Sequence, residues 1–354
     1  MKTEVVISAG GTGGHMYPAQ ALADELQEKG WDVTFVGGAL DKNKYFDRKK
    51  YKYKSICSHS VLLKKPFKTL FYIFRGIFQS YKILSKSNPK IVIGFGSYHT
   101  FPLLLAAFFR RIPMVLHEAN TIPGRVNRLF AKVAVVVGSY FDIDRYVLKD
   151  RFRKVYLPTN CYIADQSEAR RYFGLDEGCK TILIFGGSQG ARSLNNIIFK
   201  VVDEFRGWQV IHLTGNLDMT QEARRIYAEN GIKAAVKNFE DNMSMAWSAA
   251  DFCITRSGAG TVLEQLFYEK PTIFIPYPNA ADDHQKHNAK YIMDIGGAFV
   301  VEEYIDAVGA LKSLLQDLLN FNDKLSSMAE ALANHKKKVY HINFADLIEK
   351  IIKR

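Results

Sequence analysis

No aspartate or glutamate occurs between Arg48 and His117, although that stretch carries 14 Lys and Arg. The local excess is larger than the net charge of +12 on all 354 residues, so the basic character belongs to one segment. Cysteine is scarce. Cys57, Cys161, Cys179 and Cys253 show no C-x-x-C spacing, and reduced thiols in a cytosolic setting are expected. Long apolar runs are missing too. The strongest, residues 101–109, is closed by Arg110 and Arg111, far short of the ~20 residues that cross a bilayer. The first strand is expected directly after Met1-Lys2-Thr3, which leaves no room for a signal peptide. No low-complexity tract or short-period repeat is present. A soluble chain is predicted, with enough length and apolar content (47%) for two ordinary cores.

The acid-free segment also holds an aromatic pattern. Phe67, Leu70, Phe71, Phe74, Phe78 and Tyr81 recur at three- and four-residue steps, one stripe of a helix. Lys68, Arg75 and Lys82 recur every seven residues along its border. An apolar face edged by cations fits a helix lying on an anionic membrane surface. The competing readings are a core-facing stripe and, for the basic charge alone, a solvated face or nucleic acid. Nothing here resembles a base-stacking RNA motif, so no nucleic-acid partner is expected.

Two glycine-rich loops stand half the chain apart. Gly10-Gly11-Thr12-Gly13-Gly14-His15 follows an apolar strand at 4–9, and Gly186-Gly187-Ser188-Gln189-Gly190-Ala191-Arg192 follows another at 181–185. Strand, glycine loop and helix aim backbone N–H groups and the positive helix end at one point, which suits a phosphate. Further strands are predicted at 33–36, 91–93, 114–116, 134–137 and 155–157, then at 210–213, 252–255, 272–275 and 299–301. Their alternation with periodic stretches implies parallel α/β architecture. The boundary is expected near Pro158-Thr159-Asn160, giving domains 1–160 and 161–335 and a charged helix over 336–354. A dinucleotide site would need a third glycine where His15 and Met16 follow Gly14, and an acid where the second strand ends in Val36-Gly37-Gly38. Neither loop carries the Gly-Lys-Ser/Thr of an ATPase. NAD and ATP hydrolysis are therefore poor readings.

Four motifs in order then carry a resemblance that runs nearly end to end. They are Gly10 to His15, His117-Glu118-Ala119-Asn120, Gly186 to Arg192, and Arg256-Ser257-Gly258-Ala259-Gly260-Thr261-Val262-Leu263-Glu264. The chain resembles the MurG family, the undecaprenyl-pyrophosphoryl-muramoyl-pentapeptide N-acetylglucosaminyltransferases of peptidoglycan synthesis. The resemblance implies a GT-B fold, two Rossmann-like parallel-sheet domains facing across a cleft. It implies inverting transfer of GlcNAc from UDP-GlcNAc to the 4-OH of lipid-linked MurNAc-pentapeptide, lipid I becoming lipid II. No cofactor or metal is implied. The expected location is the cytoplasmic face of the bacterial inner membrane, peripherally bound, with cell-wall synthesis proteins as further partners.

Site residues follow from the same resemblance. Ser188, Gln189 and Gly190 would hold the donor diphosphate, with Thr12, Gly13 and Gly14 bordering the donor from the first loop. Glu264 would accept the ribose hydroxyls, and Ala259, Gly260 and Thr261 would offer donors at the start of that helix. Phe239, Glu240 and Met243 would border the uracil. Gln285, preceded by His284, and Asn120 would read the sugar. The acceptor pyrophosphate would lie on Gly13, Gly14, His15, Gly96, Ser97 and Tyr98. His15 is the expected base, since neutral imidazole can take the acceptor proton near pH 7. Glu118 is the alternative base, and helix-end amides would stabilise the leaving UDP. Asp142-Ile143-Asp144 matches a metal-binding D-x-D but lies away from both loops. His284 and His287 have ligand spacing without a third ligand.

Two departures stand out. Ser97 replaces a glycine usual in the family. Leu157-Pro158-Thr159-Asn160 replaces Asn-Pro-x-Arg, so the arginine that would support the diphosphate is missing, with Arg192 or Arg256 as candidate substitutes. Rival readings are another UDP-sugar enzyme of the same fold, either a glycolipid synthase or a UDP-GlcNAc 2-epimerase, and a non-enzymatic nucleotide-sugar-binding subunit.

Overall fold

The computed structural model describes residues 4–58, 66–157, 161–187, 191–304, 306–320 and 322–353. The chain divides into two units, 1–159 with 340–354, and 160–339. Each is built on a parallel sheet.

In the first unit the strands are β1 (Glu4–Ser8), β2 (Asp32–Gly38), β3 (Lys52–Ile56), β4 (Ile91–Gly94), β5 (Met114–Glu118), β6 (Val136–Ser139) and β7 (Phe152–Tyr156). In the second they are β8 (Thr181–Phe185), β9 (Gln209–Leu213), β10 (Ala234–Lys237), β11 (Phe252–Thr255), β12 (Thr272–Phe274) and β13 (Ala298–Val300). A short β14 (Ile342–Asn343) returns to the first sheet. The orders are β14-β7-β6-β5-β4-β1-β2-β3 and β10-β9-β8-β11-β12-β13. Central strands such as Val5-Val6-Ile7 and Ile182-Leu183-Ile184 are fully buried because helices cover both faces.

One face of the first sheet is covered by the helix Gly13–Glu28, whose Met16, Ala19, Leu22, Ala23 and Leu26 meet Val5, Ile7, Val33 and Phe35. The helix Phe344–Ile352 adds Phe344, Ala345 and Ile348 to the same cluster. In the second unit Ile182, Ile184, Val210, Phe252 and Ile254 face one layer, with Leu311, Leu315 and Leu318. Leu183, Ile211 and Cys253 face the other, with Trp247 and Tyr268.

The sequence pattern predicts the inner strands and misses β3, β10 and β14. All three are sheet edges. Lys52-Tyr53-Lys54-Ser55-Ile56 is exposed except at Ile56. An edge strand has one neighbour and is often charged, so it lacks the apolar signature of a buried strand. β6 begins two residues later than expected and β7 starts at Phe152, ahead of its apolar end. The single helix expected over 336–354 is also corrected. The helix Asn322–Lys338 stops, β14 pairs with β7 through Ile342 and Val155, and a new helix begins at Phe344. Asn343 decides that start, because its side chain accepts the Asp346 amide at 3.0 Å.

Candidate functional site

The first glycine loop leaves β1 and enters the helix Gly13–Glu28, with Thr12 at its N-cap. Gly11 has φ +89, and a Cβ on Gly10 would lie 2.5 Å from the Cβ of His99. Both glycines are therefore required by geometry. A second loop leaves β4, with Gly96 at φ +77 and Ser97 at φ +69. The glycine usual at that second position would sit there without strain, whereas serine costs ~1 kcal/mol. Two bonds to the Ser97 carbonyl hold it, from the Thr100 amide at 3.2 Å and hydroxyl at 2.9 Å.

His15 lies in the first turn of its helix, its amide 3.1 Å from the Thr12 carbonyl. Two more histidines lie within its electrostatic reach. Burial first, then the charge of His15, lowers His99 to about 4 and His117 to about 3. Both are neutral near pH 7, so neither opposes a proton arriving on His15. His99 is oriented by Ser58, Oγ to Nδ1 2.7 Å. His117 is wedged between the rings of Phe95 and Phe344.

Glu118 ends β5 and is buried. Its Oε1 accepts from the Asn120 amide (2.9 Å) and side chain (3.2 Å), and its Oε2 from the Gly124 amide (3.0 Å) and Asn127 Nδ2 (2.8 Å). Four donors thus occupy the lone pairs of this carboxylate. Its place in the fold is to shape residues 118–127, and Asn120 is part of that turn.

In the second unit the candidate donor residues collect at the C-terminal ends of parallel strands, where open α/β sheets bind ligands. Gly186 and Gly187 (φ +83) follow β8, and a Cβ on Gly186 would meet Ala191 at 2.4 Å. Ser188, Gln189 and Gly190, like Pro158, Thr159 and Asn160, lie outside the described residues. Gly258 caps the helix Ala259–Tyr268, which carries Gly260, Thr261 and Glu264 in its first two turns. Glu264 Oε2 accepts from Trp247 Nε1 at 2.9 Å. Trp247 is itself fixed by stacking on Tyr268, centroids 5.7 Å apart. Burial pushes the Glu264 carboxyl up to about 7, against the Trp247 bond.

The remaining donor candidates are tied to the same edge. Ser257 Oγ donates to the Gln285 carbonyl at 2.7 Å, and Gln285 Oε1 accepts from the Tyr277 amide at 2.9 Å. His284 Nδ1 lies 2.8 Å from the Ala281 carbonyl. Phe239 is exposed, and Met243 opens the helix Met243–Ala249. Burial would raise the Glu240 carboxyl, but Lys237 at 2.6 Å, the Asn242 amide and Tyr172 hold it below the usual range. Arg256 is not free to replace the missing arginine. Its buried guanidinium binds the Ile275 and Pro276 carbonyls, Ser193 Oγ and Glu303. Arg192 is exposed at the start of its helix and, among the described residues, has no such commitments.

Among the described residues, no group of three or more His, Cys, Asp or Glu could hold a metal. Asp142 pairs instead with Lys154 at 3.1 Å.

The aromatic stripe lies on the helix Pro66–Ser87, which packs through Thr69, Gly76, Ser80 and Leu84. Gly76 is needed there, since a Cβ would approach the Cys57 carbonyl to 2.0 Å. Phe71, Phe74 and Phe78 point outward, 62%, 61% and 60% exposed, beside exposed Leu70 and Tyr81. Phe108 and Phe109 of the neighbouring helix Phe101–Phe109 are exposed as well. Lys82 lies over Phe78 at 4.5 Å and Arg110 over Tyr81 at 5.3 Å. The side chains of Phe67 and Lys68 lie outside the described residues. Among the described residues, no helix is long and apolar enough to cross a membrane.

Residues 5–139 match the glycosyltransferase family 28 N-terminal domain, and 181–343 match the C-terminal domain of that family. Over 327 residues the chain is 44% identical to the UDP-N-acetylglucosamine--N-acetylmuramyl-(pentapeptide) pyrophosphoryl-undecaprenol N-acetylglucosamine transferase of Protochlamydia amoebophila, covering 89% of this chain and 87% of that protein. The chain belongs to glycosyltransferase family 28. A relative of the same name from Sulfurihydrogenibium is 32% identical, covering 99% of this chain and 96% of the relative. The crystal structure of Acinetobacter baumannii MurG superposes with a TM-score of 0.81 at 26% identity, over 100% of this chain and 99% of that one. Within this family 28 fold, motif reading missed Asn127, Trp247 and Ser58 as supports of candidate site residues. Asn127 meets Glu118 across one turn, while Trp247 and Ser58 reach Glu264 and His99 from other segments, so no motif spacing marks them.

Proposed function

We propose that the chain is an N-acetylglucosaminyltransferase that moves GlcNAc from UDP-GlcNAc to the lipid-linked MurNAc-pentapeptide acceptor of peptidoglycan synthesis. The 44% identity to a protein of that name carries this reading. Two glycine loops at the C-terminal edges of two parallel sheets support it, because each presents first-turn N–H groups suited to a phosphate. The second unit takes UDP-GlcNAc and the first takes the acceptor. His15 accepts the proton of the attacking hydroxyl as its oxygen bonds to the anomeric carbon, and the bond to UDP breaks. Glu118 is the structural partner of this step, holding its loop in shape. Incubation with UDP-GlcNAc and lipid I tests the reading by mass spectrometry. Lipid I gaining one GlcNAc mass with release of UDP is expected, and an unchanged lipid defeats it.

Glu264 serves the donor ribose in this reading. Replacing it with Ala raises the dissociation constants of UDP and UDP-GlcNAc together, by ~1.5–3 kcal/mol, since a charged acceptor is lost. Gln285→Ala weakens UDP-GlcNAc and leaves UDP nearly unchanged. The ionised Glu264 carboxylate accepts both hydroxyls, so UDP affinity rises with pH through about 7 and falls below it. In the ligand-free protein the sign is opposite for stability. Between the usual carboxyl range and about 7 the native state holds a proton that the unfolded chain has released, so this group's contribution declines as pH rises through that window. Calorimetry at pH 6 and 8 checks the affinity, and a pH-independent Kd removes Glu264 from the ribose.

The basic–aromatic face supports peripheral binding to an anionic membrane surface on the cytoplasmic side, where a lipid-linked acceptor would be met. Exposed aromatics would enter the interface, while Arg75, Lys82, Arg110 and Arg111 would face the headgroups.

A further inference from the structure

Beside the first glycine loop, residues 39–45 border an open recess of about 250 Å³ lined by Gly11, Gly38, Lys42, Lys44, Tyr45 and His99. The wall is held rigidly. Asn43 Nδ2 donates to the Gly11 carbonyl at 2.9 Å, and Asn43 Oδ1 accepts from the Tyr45 amide at 2.9 Å. Gln20 brackets the same turn, donating to the Tyr45 carbonyl at 2.9 Å and accepting from the Asp47 amide at 2.8 Å. On the opposite side Gly38 lets Ser58 and His99 close in, since a Cβ there would lie 1.7 Å from Ser58 Oγ and 2.4 Å from His99 Nδ1.

The charge in this pocket is one-sided. Lys42 and Lys44 are exposed, and among the described residues neither has a carboxylate partner. The neighbouring lysines differ, Lys50 pairing with Asp24 and Lys52 with Asp32, each at 2.8 Å. Lys44 lies over the Tyr45 ring at 4.9 Å, which keeps its ammonium group along the wall. His99 is neutral near pH 7 and adds no charge. Two uncompensated cations on a preorganised wall, touching the loop that carries His15, suit an anionic part of the acceptor. The diphosphate is assigned above to the first helical turn and to Gly96, Ser97 and Tyr98. The anion left to place is on the peptide, which ends in a carboxylate when attached through its amino end.

We propose that this pocket is the subsite for the carboxylate end of the acceptor's peptide, with Lys42 and Lys44 as its cations. The inference rests on the reading that the acceptor is a peptide-bearing muramyl lipid. It makes the pocket a specificity determinant that distinguishes acceptors by their peptide.

The test uses the full-length protein with two short-chain, water-soluble acceptors, one bearing the pentapeptide and one bearing no peptide. Exchanging Lys42→Gln together with Lys44→Gln raises KM for the pentapeptide acceptor by about 10–100-fold, the loss of charged contacts. The KM for the peptide-free acceptor and UDP affinity stay unchanged, and added salt erodes the difference between acceptors. Lys42→Arg with Lys44→Arg keeps the charge and restores preference for the pentapeptide, which separates charge from folding. An equal rise on both acceptors overturns the proposal and moves the lysines to the diphosphate or sugar. No change on either also overturns it, leaving the transferase reading intact. Absence of transfer by the unmodified protein to both acceptors defeats the transferase reading and this inference with it.

Discussion

His15→Ala lowers kcat by about 10²–10⁴-fold while leaving UDP-GlcNAc affinity nearly unchanged. The donor is assigned to the second unit and His15 belongs to the first, so its imidazole contributes to the proton transfer and little to donor binding. His99 and His117, both neutral near pH 7, lie within its electrostatic reach, and Gly10 and Gly11 set the backbone path of the loop. Thermal melting of the variant checks that it is folded. Rapid-quench measurement at saturating donor and acceptor reads the chemical step. Near-normal turnover eliminates His15 as base, and a loss confined to acceptor KM makes it a phosphate contact. Glu118→Ala behaves differently. It removes the acceptor of the Gly124 amide and one of the two acceptors of the buried Asn127 Nδ2, the other being the His117 carbonyl, and so lowers stability by ~1–3 kcal/mol along with activity.

Replacing Phe71, Phe74 and Phe78 with Ser releases the protein from anionic vesicles and leaves it folded. The three rings are about 60% exposed, so their removal opens no core cavity, and surface changes of this kind shift stability by ~0.5 kcal/mol or less each. Buried phenylalanines would instead cost ~3–5 kcal/mol each, enough to unfold a domain. Lost insertion of three rings, at roughly 1–2 kcal/mol each given their partial exposure, reduces partitioning about 10²–10⁴-fold. Vesicle sedimentation with thermal melting of the same sample decides the matter. A folded triple variant that still sediments with vesicles removes the helix Pro66–Ser87 as the docking element. Transfer to a short-chain, water-soluble acceptor is retained in this variant, because the stripe delivers lipid and takes no part in the chemistry.

The glycine loops, inner strands and two-domain α/β plan were legible because their causes are local. A strand buried on both faces must be apolar throughout, and a glycine at positive φ or against a close neighbour is replaced only at the cost of strain. The edge strands β3, β10 and β14 carried no such mark. Lys52-Tyr53-Lys54 pairs through its backbone with β2 and shows its side chains to solvent, so its composition reads as loop. The C-terminal helix was misjudged for a related reason. Its charge is continuous in sequence, while the break at Ile342 and Asn343 depends on pairing with Val155 and Tyr156, nearly 190 residues earlier.

Residue type and spacing were enough to predict the paired glycine loops, the family resemblance and a helix with one aromatic stripe. Those properties depend on backbone sterics and helical period, which act over a few residues. They could not say which way the stripe faced. The packing of Thr69, Gly76, Ser80 and Leu84 decided that, since Gly76 on this face allows the helix to approach the Cys57 carbonyl. Nor could they show how the Glu118 carboxylate is held. Four donors converging on Glu118 from residues 120–127 consume its lone pairs, and only folding brings them there. The raised carboxyl of Glu264 and the uncompensated charges of Lys42 and Lys44 have the same origin. Electrostatics and desolvation act through space, so the ionisation and pairing of these side chains depend on neighbours that the linear order does not reveal.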